Sequence, residues 1–144
     1  MEILLDPHSE TPLYQQLRDR MVEAIAARDL APGEQLASVR QVAVAFGINV
    51  ATVGKAYELL RDEGFITTSH KSRSVVARGP ASGPPAQDFV NGWAPRLTTL
   101  LAEAVAQGVP PSDIAAHTTR IVASFDESRT TTAPSATTET DSRT

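Results

Sequence analysis

The sequence predicts an α+β fold, with an N-terminal winged helix-turn-helix followed by a small C-terminal helical region. Two short helical patterns lie between Ser38 and Gly64 and are separated by a tight turn at Gly47. Residues 65–76 then have the pattern of a β-hairpin with a basic tip. A Pro- and Gly-rich stretch separates this unit from two further helical patterns. Helix, turn, helix and hairpin in this order are typical of a winged helix-turn-helix.

The first elements are predicted from helix-start signals and apolar spacing. Ile3-Leu4-Leu5 is consistent with a small edge strand. Thr11-Pro12 is a favourable helix start, because Thr can cap a helix and Pro is tolerated at the first helical position. This helix should end near Arg28, and its apolar face comprises Leu13, Leu17, Met21, Ala24 and Ile25. After the turn at Pro32-Gly33, Gln35-Leu36 is predicted to form a brief strand beside the hairpin.

Capping signals define the next two helices. Ser38 followed by Gln41 matches a capping box, which predicts a helix start. Asn49 is a favoured N-cap for the following helix, and Gly64 suits a left-handed position at its end. The buried side of the second helix is predicted to contain Val42, Ala43 and Phe46. The inner face of the third helix is predicted to contain Val53, Ala56, Tyr57 and Leu60.

The C-terminal half is predicted to hold a linker, two helices and a disordered tail. Pro95 places the start of the first regular helix near Ala94, and Pro110-Pro111-Ser112 separates the two helices. The polar tail cannot bury enough apolar area to offset its chain entropy. The predicted boundaries are 1–78 for the winged domain, 79–87 for the linker, 88–126 for the helical region and 127–144 for the tail.

The helical region 88–126 is predicted to be a dimerisation region. Two helices behind a flexible linker cannot cover their own apolar faces, so a partner subunit is expected to do so. The apolar stripe assigned to this homodimer contact consists of Trp93, Leu97, Leu101, Ile114, Ile121 and Phe125.

Composition argues against several classes of protein. The chain has no cysteine, which excludes disulfides and thiolate metal sites. No apolar run approaches the about 20 residues of a membrane span, and the N-terminus lacks the pattern of a signal peptide. The three histidines are scattered, and there is no Ser/His/Asp set or phosphate-binding glycine loop. We therefore expect a cytoplasmic protein that is not an enzyme, needs no metal or cofactor, and does not bind membranes.

The distribution of charge favours nucleic acid more than the net charge of −4 does. Residues 38–78 carry six basic and three acidic side chains, a balance of +3. Residues 1–37 have three basic and seven acidic side chains, and residues 79–144 have four and seven. The positive excess thus coincides with the predicted helix-turn-helix and hairpin. Because this excess is small, DNA affinity is expected to depend on dimerisation and on salt.

Several spaced motifs resemble the N-terminal domain of GntR-family transcription regulators. They are Pro12-Leu-Tyr-Gln-Gln-Leu17, Leu30-Ala-Pro-Gly-Glu-Gln-Leu36 and Ser38-Val-Arg-Gln-Val-Ala43. Asn49-Val-Ala-Thr-Val-Gly-Lys-Ala-Tyr57 is similar to the YtrA-like subgroup. The resemblance covers about residues 1–78, and the downstream helix pair is similar to the subgroup's small dimerisation region. It implies a dimeric regulator that binds double-stranded operator DNA.

The start of each predicted helix supplies the candidate DNA contacts. A helix inserted into the major groove presents backbone N–H groups and short polar side chains to phosphates and base edges. Arg40 lies where the resemblance implies contact with the DNA backbone, and its planar donors suit phosphate or guanine. Lys55 is expected on the outer face opposite Tyr57. The full set is Ser38, Arg40, Asn49, Val50, Ala51, Thr52 and Lys55 on the helices, with His70, Lys71 and Arg73 at the wing tip.

Some positions depart from the family pattern. Ala37 replaces the usual Pro before the second helix, and Lys71 and Arg73 stand where the wing has glycines. The recognition helix has apolar or small residues at positions that are usually polar, namely Val50, Ala51 and Gly54. The first two are suited to thymine methyl groups. Gly54 either permits close approach of DNA or is tolerated at about 1 kcal/mol in helix propensity.

Two functions follow from these observations. The first is a sequence-specific transcription regulator, expected to be a repressor, that binds an inverted-repeat operator as a dimer. The second is a dimerising interaction protein with weak DNA readout that modulates another regulator, as the apolar recognition positions and the missing wing glycines suggest. The two C-terminal helices are too small to enclose a metabolite pocket of about 300–1,000 Å³ within one subunit, so any effector is expected to bind at the dimer interface or to act by another route, and none is assigned.

Overall fold

The computed structural model describes residues 3–127 and confirms the α+β winged helix-turn-helix. The helices are α1 (Leu13–Ala26), α2 (Val39–Phe46), α3 (Val50–Asp62), α4 (Phe89–Ala106) and α5 (Pro111–Glu127). The strands are β1 (Ile66–Thr68) and β2 (Ser74–Val76), which pair as an antiparallel hairpin. Across the described range, no helix combines the length and the hydrophobicity that crossing a bilayer requires.

The core of the winged domain lies between α1, α3 and the hairpin. Leu17, Val53 and Leu60 have no exposed surface, because the apolar faces of α1 and α3 pack against each other. Burial of one such side chain contributes about 1.5–3 kcal/mol. Ile66 pairs with Val76 across the hairpin, and both are buried, so the sheet closes one end of the core. All four predicted inner residues of α3 are buried.

The predicted N-terminal strand is absent from the structure. Residues 3–5 are irregular, although Ile3 and Leu5 pack against the core. The buried Gln16 explains this arrangement, because its side chain accepts from the Asp6 N–H at 2.8 Å and donates to the Asp6 carbonyl at 2.8 Å. The segment is therefore attached to α1 by a side-chain amide, and it needs no strand partner.

The predicted start and end of α1 were both slightly wrong. Pro12 is the N-cap, with an extended ψ of 146°, and no side chain caps the helix. The Pro12 carbonyl accepts hydrogen bonds from the N–H groups of Gln15 and Gln16, so the first turn of α1 is bonded to the backbone of Pro12 and not to a capping side chain. At the other end, α1 stops at Ala26, and Arg28 has a left-handed φ of 65° that redirects the chain.

The helix-turn-helix is built as its capping signals predict. Ser38 Oγ accepts from the Gln41 N–H at 3.1 Å, and Gln41 Oε1 accepts from the Ser38 N–H at 2.9 Å. Gly47 ends α2 with a left-handed φ of 64°. Asn49 Oδ1 then accepts from the Ala51 N–H at 2.8 Å and starts α3. These local bonds confirm the capping box, the glycine stop and the asparagine cap.

Phe46 was predicted to be buried, and this was wrong. It is 37% exposed, whereas Val42 and Ala43 are buried. Phe46 is the last residue of α2 and lies about one turn beyond that buried pair.

Tyr57 connects α3 to the segment before α2. Its hydroxyl donates to the Ala37 carbonyl at 2.6 Å. Burial raises the pKa of Tyr57 to about 12, so the hydroxyl keeps its proton near neutral pH and remains a donor. This bond holds the start of α2 beside the middle of α3. Gln35 forms a bridge with Val75, which confirms a short extended segment next to the hairpin.

In the C-terminal region, α4 begins at Phe89 and continues through Pro95, which corrects the predicted start near Ala94. Pro95 has no N–H and cannot donate to the carbonyl of Asn91, four residues earlier. Asn91 is exposed, so water can satisfy that carbonyl, and the helix tolerates the proline. Residues 79–87 form no helix or strand. The predicted tail lies outside the described residues, except that Glu127 ends α5.

A polar contact joins the winged domain to the end of α5. Arg28 Nη1 donates to the Phe125 carbonyl at 3.2 Å and to Asp126 Oδ1 at 3.3 Å. A cation is favourable at this position, because the carbonyl end of a helix carries partial negative charge. The two regions are therefore connected through space as well as through the linker.

Candidate nucleic-acid interface

The predicted DNA contacts lie on three segments of the winged domain: the start of α2, the first turns of α3, and the turn between β1 and β2. Thr52 is half-buried, and the other nine candidate residues are exposed. The bridge between Gln35 and Val75 and the bond from Tyr57 to Ala37 hold these segments in one domain. The interface is thus presented on a packed scaffold.

Both N-cap side chains retain a donor for a ligand. Ser38 Oγ and Asn49 Oδ1 are used as acceptors by the backbone of the helices that they cap. The Ser38 hydroxyl proton and the Asn49 amide N–H groups can still donate. Helix N-termini already favour anions, and these donors add to that preference. The two helix starts therefore have the chemistry of phosphate sites.

Ion pairs divide the basic residues into two groups. Arg18, Arg20 and Arg28 each pair with a carboxylate. Within residues 3–127, by contrast, the basic residues that form no ion pair are Arg40, Lys55, Arg61, Lys71, Arg73, Arg78, Arg96 and Arg120, and six of these eight lie in the segment 38–78. The arginines of α1 and its C-terminal turn are neutralised locally, while the charges at the start of α2 and at the wing tip remain available to a polyanion.

Lys55 is exposed, but its ammonium group is not directed only at solvent. Its Nζ lies 4.0 Å from the centroid of the Tyr14 ring on α1. Such a cation–π contact contributes about 0.5–1 kcal/mol at an exposed site. The sequence predicted an outward lysine on α3, and it gave no indication of the partner on another helix.

The wing turn obtains its tight geometry without glycine. The Ser69 N–H donates to the Arg73 carbonyl at 2.7 Å, and Ser72 has the left-handed φ of 58°. The positive φ therefore falls between Lys71 and Arg73 and on neither of them. Arg73 Nη1 donates to Gln35 Oε1 at 3.0 Å, so this side chain is held against the neighbouring extended segment.

Apolar side chains are exposed beside these polar groups. Val50 is 49% exposed at the start of α3, which fits its predicted contact with a thymine methyl. Val44 on α2 is 83% exposed and borders a cleft with Arg40 and Ala45. Val44 was not predicted. The sequence signal for its exposure was its place on α2, next to Val42 and Ala43 but not on the buried face that they form.

Among residues 3–127, no neighbouring atom requires a glycine at position 54. It lies in the middle of α3, and a Cβ built there would meet nothing within 4 Å. Glycine in a helix interior costs roughly 0.5–1 kcal/mol relative to alanine. The packing of residues 3–127 therefore gives no reason for this cost.

The predicted dimer contacts divide into exposed and half-buried residues. Trp93 and Ile121 are 43% and 46% exposed. Leu97, Leu101, Ile114 and Phe125 are half-buried, and α4 packs against α5. Further exposed apolar residues on these helices, which the single stripe did not include, are Phe89, Val90, Leu100, Val105 and Val122. The signal for them was an α4 sequence that is apolar around much of its circumference.

Among the described residues, no group of three or more His, Cys, Asp or Glu side chains could hold a metal ion. The candidate site is therefore composed of helix caps, unpaired cations and exposed apolar groups.

The chain is similar to known bacterial transcription regulators. The family model described as bacterial regulatory proteins, gntR family, matches residues 13–76. The chain is 42% identical to the HTH-type transcriptional repressor YtrA of Bacillus subtilis (strain 168), over 46% of this chain and 51% of that protein. It is 30% identical to the HTH-type pyridoxine biosynthesis transcriptional regulator PdxR of Corynebacterium glutamicum, over 53% of this chain and 17% of that protein. The matches span about half or less of these curated relatives.

Solved structures extend the likeness beyond the winged domain. YtrA from Sulfolobus acidocaldarius, a GntR-family transcription factor, is 38% identical, with a TM-score of 0.57 over 72% of this chain and 97% of that chain. A transcriptional antiterminator from Listeria monocytogenes EGD-e is 22% identical, with a TM-score of 0.74 over 85% of this chain and 93% of that chain. The second likeness is one of fold alone.

Proposed function

Since this chain belongs to the GntR family of bacterial regulatory proteins, we propose that it is a sequence-specific regulator of transcription. It binds double-stranded operator DNA as a homodimer and acts in the cytoplasm as a repressor. The Bacillus subtilis relative is named a repressor, which supports this sense of regulation. No metal or cofactor takes part.

The observation that carries the proposal is the placement of uncompensated positive charge. The segment 38–78 has a balance of +3, and its Arg40 and Lys71 form no ion pair among residues 3–127. The helix starts at Ser38 and Asn49 present additional donors beside them. A phosphate backbone requires this combination of cations, amide groups and hydroxyls.

Sequence readout comes from α2 and α3. Arg40 offers two parallel donors, which suit the O6 and N7 atoms of guanine or a phosphate. Val50 and Ala51 contact thymine methyl groups in the major groove. Thr52 and Asn49 position the start of α3 on the phosphates, and the wing tip with His70 and Lys71 reaches flanking DNA.

The dimer contact is supplied by α4 and α5. Apolar side chains remain exposed on both helices, including Trp93, Leu100 and Ile121. A two-fold dimer presents two recognition helices, so the operator contains inverted half-sites with centres about 34–36 Å apart, or a multiple of that spacing.

The wing should contribute affinity with little sequence information. The double variant Lys71→Ala/Arg73→Ala removes two cations at or beside the wing tip, so both operator and random DNA should bind more weakly. The slope of log affinity against log salt should flatten by about one unit for each phosphate that the wing no longer neutralises. Salt titrations on both DNAs measure this effect. An unchanged slope would mean that the wing does not touch DNA.

Replacement of Gly54 should change the stability of the chain and its affinity for DNA in opposite directions. Gly54→Ala should stabilise the chain by roughly 0.5–1 kcal/mol, because α3 gains helix propensity and the new methyl meets no neighbour. Operator affinity should fall at the same time, since the methyl group stands where DNA approaches α3. Urea unfolding and DNA titration give the two readouts.

Gly92→Ala is the matched control for this variant. Gly92 is also inside a helix with open space around it, but it lies on α4. It should show the same gain in stability with unchanged operator affinity. If Gly54→Ala binds the operator as tightly as the parent chain, Gly54 is merely tolerated.

Footprinting on the promoter of the chain's own gene tests the proposed function directly. The expected result is protection of two inverted half-sites, with much weaker binding to scrambled DNA of equal length. Equal binding to both DNAs would favour the alternative of a dimerising interaction protein that modulates another regulator.

A further inference from the structure

We propose that a cavity between the winged domain and the linker binds a small amphipathic carboxylate. The cavity has a volume of about 370 Å³ and lies between α1, the corner from α3 to β1, the linker and the start of α4. Ligand sites in proteins have volumes of about 300–1,000 Å³, so this one suits a small molecule. Nothing in the proposed DNA interface uses these residues.

The walls of the cavity are mainly apolar and come from both regions of the chain. Val22 and Ile25 contribute from α1, and Phe65 from the residue before β1. The linker contributes Pro80 and Pro85. Apolar walls of this kind favour a hydrocarbon or aromatic body in the ligand.

Two charged residues line the cavity, and only one of them is neutralised. Glu63 pairs with Arg18, with an oxygen 2.8 Å from Nη2. Arg78 donates from Nη2 to the carbonyls of Gly83 and Pro84, at 3.0 and 3.3 Å. Within the part of the chain that the structure describes, Arg78 has no carboxylate partner.

This distribution of charge selects the head group of the ligand. A guanidinium has five N–H donors, and Arg78 uses only those of Nη2, so Nε and Nη1 can donate to a carboxylate. Charge-assisted hydrogen bonds of this type are about twice as strong as neutral ones. The cavity therefore suits a ligand whose anionic group binds Arg78 and whose apolar body packs against Phe65.

The same bonds of Arg78 explain why the cavity exists. They fold residues 79–84 back toward the winged domain, and Phe89 of α4 completes the wall. A ligand that bridges Val22 and Phe89 would restrict the orientation of α4 relative to the recognition helix. The resulting change in operator affinity rests on the proposed function, whereas ligand binding itself does not.

The test uses the full chain with octanoate as the probe and 1-octanol as the uncharged match. Methyl NMR resonances of Val22 and Ile25 should shift saturably with octanoate, and octanoate should bind at least about tenfold more tightly than octanol. Arg78→Gln should abolish this preference, while Arg120→Gln on the exposed surface of α5 should leave it unchanged. Ala86→Leu, at an exposed linker position, should fill the cavity and prevent the shifts.

Absence of saturable shifts, equal affinity for octanoate and octanol, or retained preference in Arg78→Gln would overturn the proposal. So would retained binding in Ala86→Leu, whose unfolding midpoint confirms that it is folded. Octanoate is then titrated into the complex with operator DNA. If the chain binds octanoate but no DNA, the cavity proposal stands and the proposed function fails.

Discussion

Replacement of Leu100 and Ile121 by aspartate should convert the proposed dimer into a monomer and weaken operator binding by about 10²–10⁴-fold. Both side chains are apolar and exposed, at 62% and 46%, so they are free to meet a partner subunit. A carboxylate buried in that contact would lack a partner and prevent association. The second half-site would then no longer be reached by an attached subunit, and this loss of avidity sets the magnitude.

Light scattering and operator titration measure the two parts of this effect. Ala102→Asp is the control, because Ala102 is exposed and lies on the opposite side of α4 from Leu100. It should leave the dimer and the affinity intact. A double variant that is still dimeric would show that subunits associate through another surface.

Arg40→Ala should have the largest effect of any single change on the DNA surface, with a loss of about 1–3 kcal/mol in operator binding. Arg40 is exposed in the first turn of α2 and forms no ion pair among residues 3–127. No carboxylate among these residues therefore neutralises its charge. The capping box at Ser38 holds the backbone at this position, so the loss should come from the guanidinium and not from unfolding.

Titration of operator and scrambled DNA distinguishes the two kinds of contact. If Arg40 reads guanine, the operator loses more affinity than the scrambled sequence; equal losses indicate a phosphate. Arg120→Ala, which removes an exposed arginine from the side of α5 away from Ile121, is the charge-matched control and should bind like the parent chain. Operator binding that is unaffected by Arg40→Ala would remove α2 from the recognition surface.

Local chemistry made the winged domain predictable from its sequence. The caps at Ser38 and Asn49 and the stop at Gly47 depend on residues within one turn of the chain, and each was found as predicted. The inner face of α3 follows from a helical period that tertiary packing preserves. Most of the candidate DNA surface is attached to these same features, so its location followed from them.

Contacts between distant residues were not predictable in the same way. Residues 3–5, which were expected to form a strand, are instead held by hydrogen bonds between Gln16 and Asp6. The ammonium group of Lys55 lies over the ring of Tyr14. Neither pairing leaves a periodic signal in one sequence. Pro95 misled the prediction of α4, because the general penalty for proline in a helix interior does not reveal that the carbonyl of Asn91, which loses its donor, is accessible to water. The cavity was missed because Arg78 folds the linker back, which composition does not reveal.

If the chain binds DNA as the proposed dimer, the contact of Arg28 with the end of α5 enforces the spacing of the operator half-sites only weakly. Its partner Asp126 has a side chain that is 77% exposed, and ion pairs of this kind contribute about 0–1 kcal/mol. One kilocalorie per mole changes the ratio of two arrangements by only about fivefold. In the proposed dimer, each winged domain would therefore have a preferred orientation and a modest cost for leaving it. Half-sites at the preferred spacing would be favoured, and a promoter that departs slightly from it would be bound at a graded disadvantage.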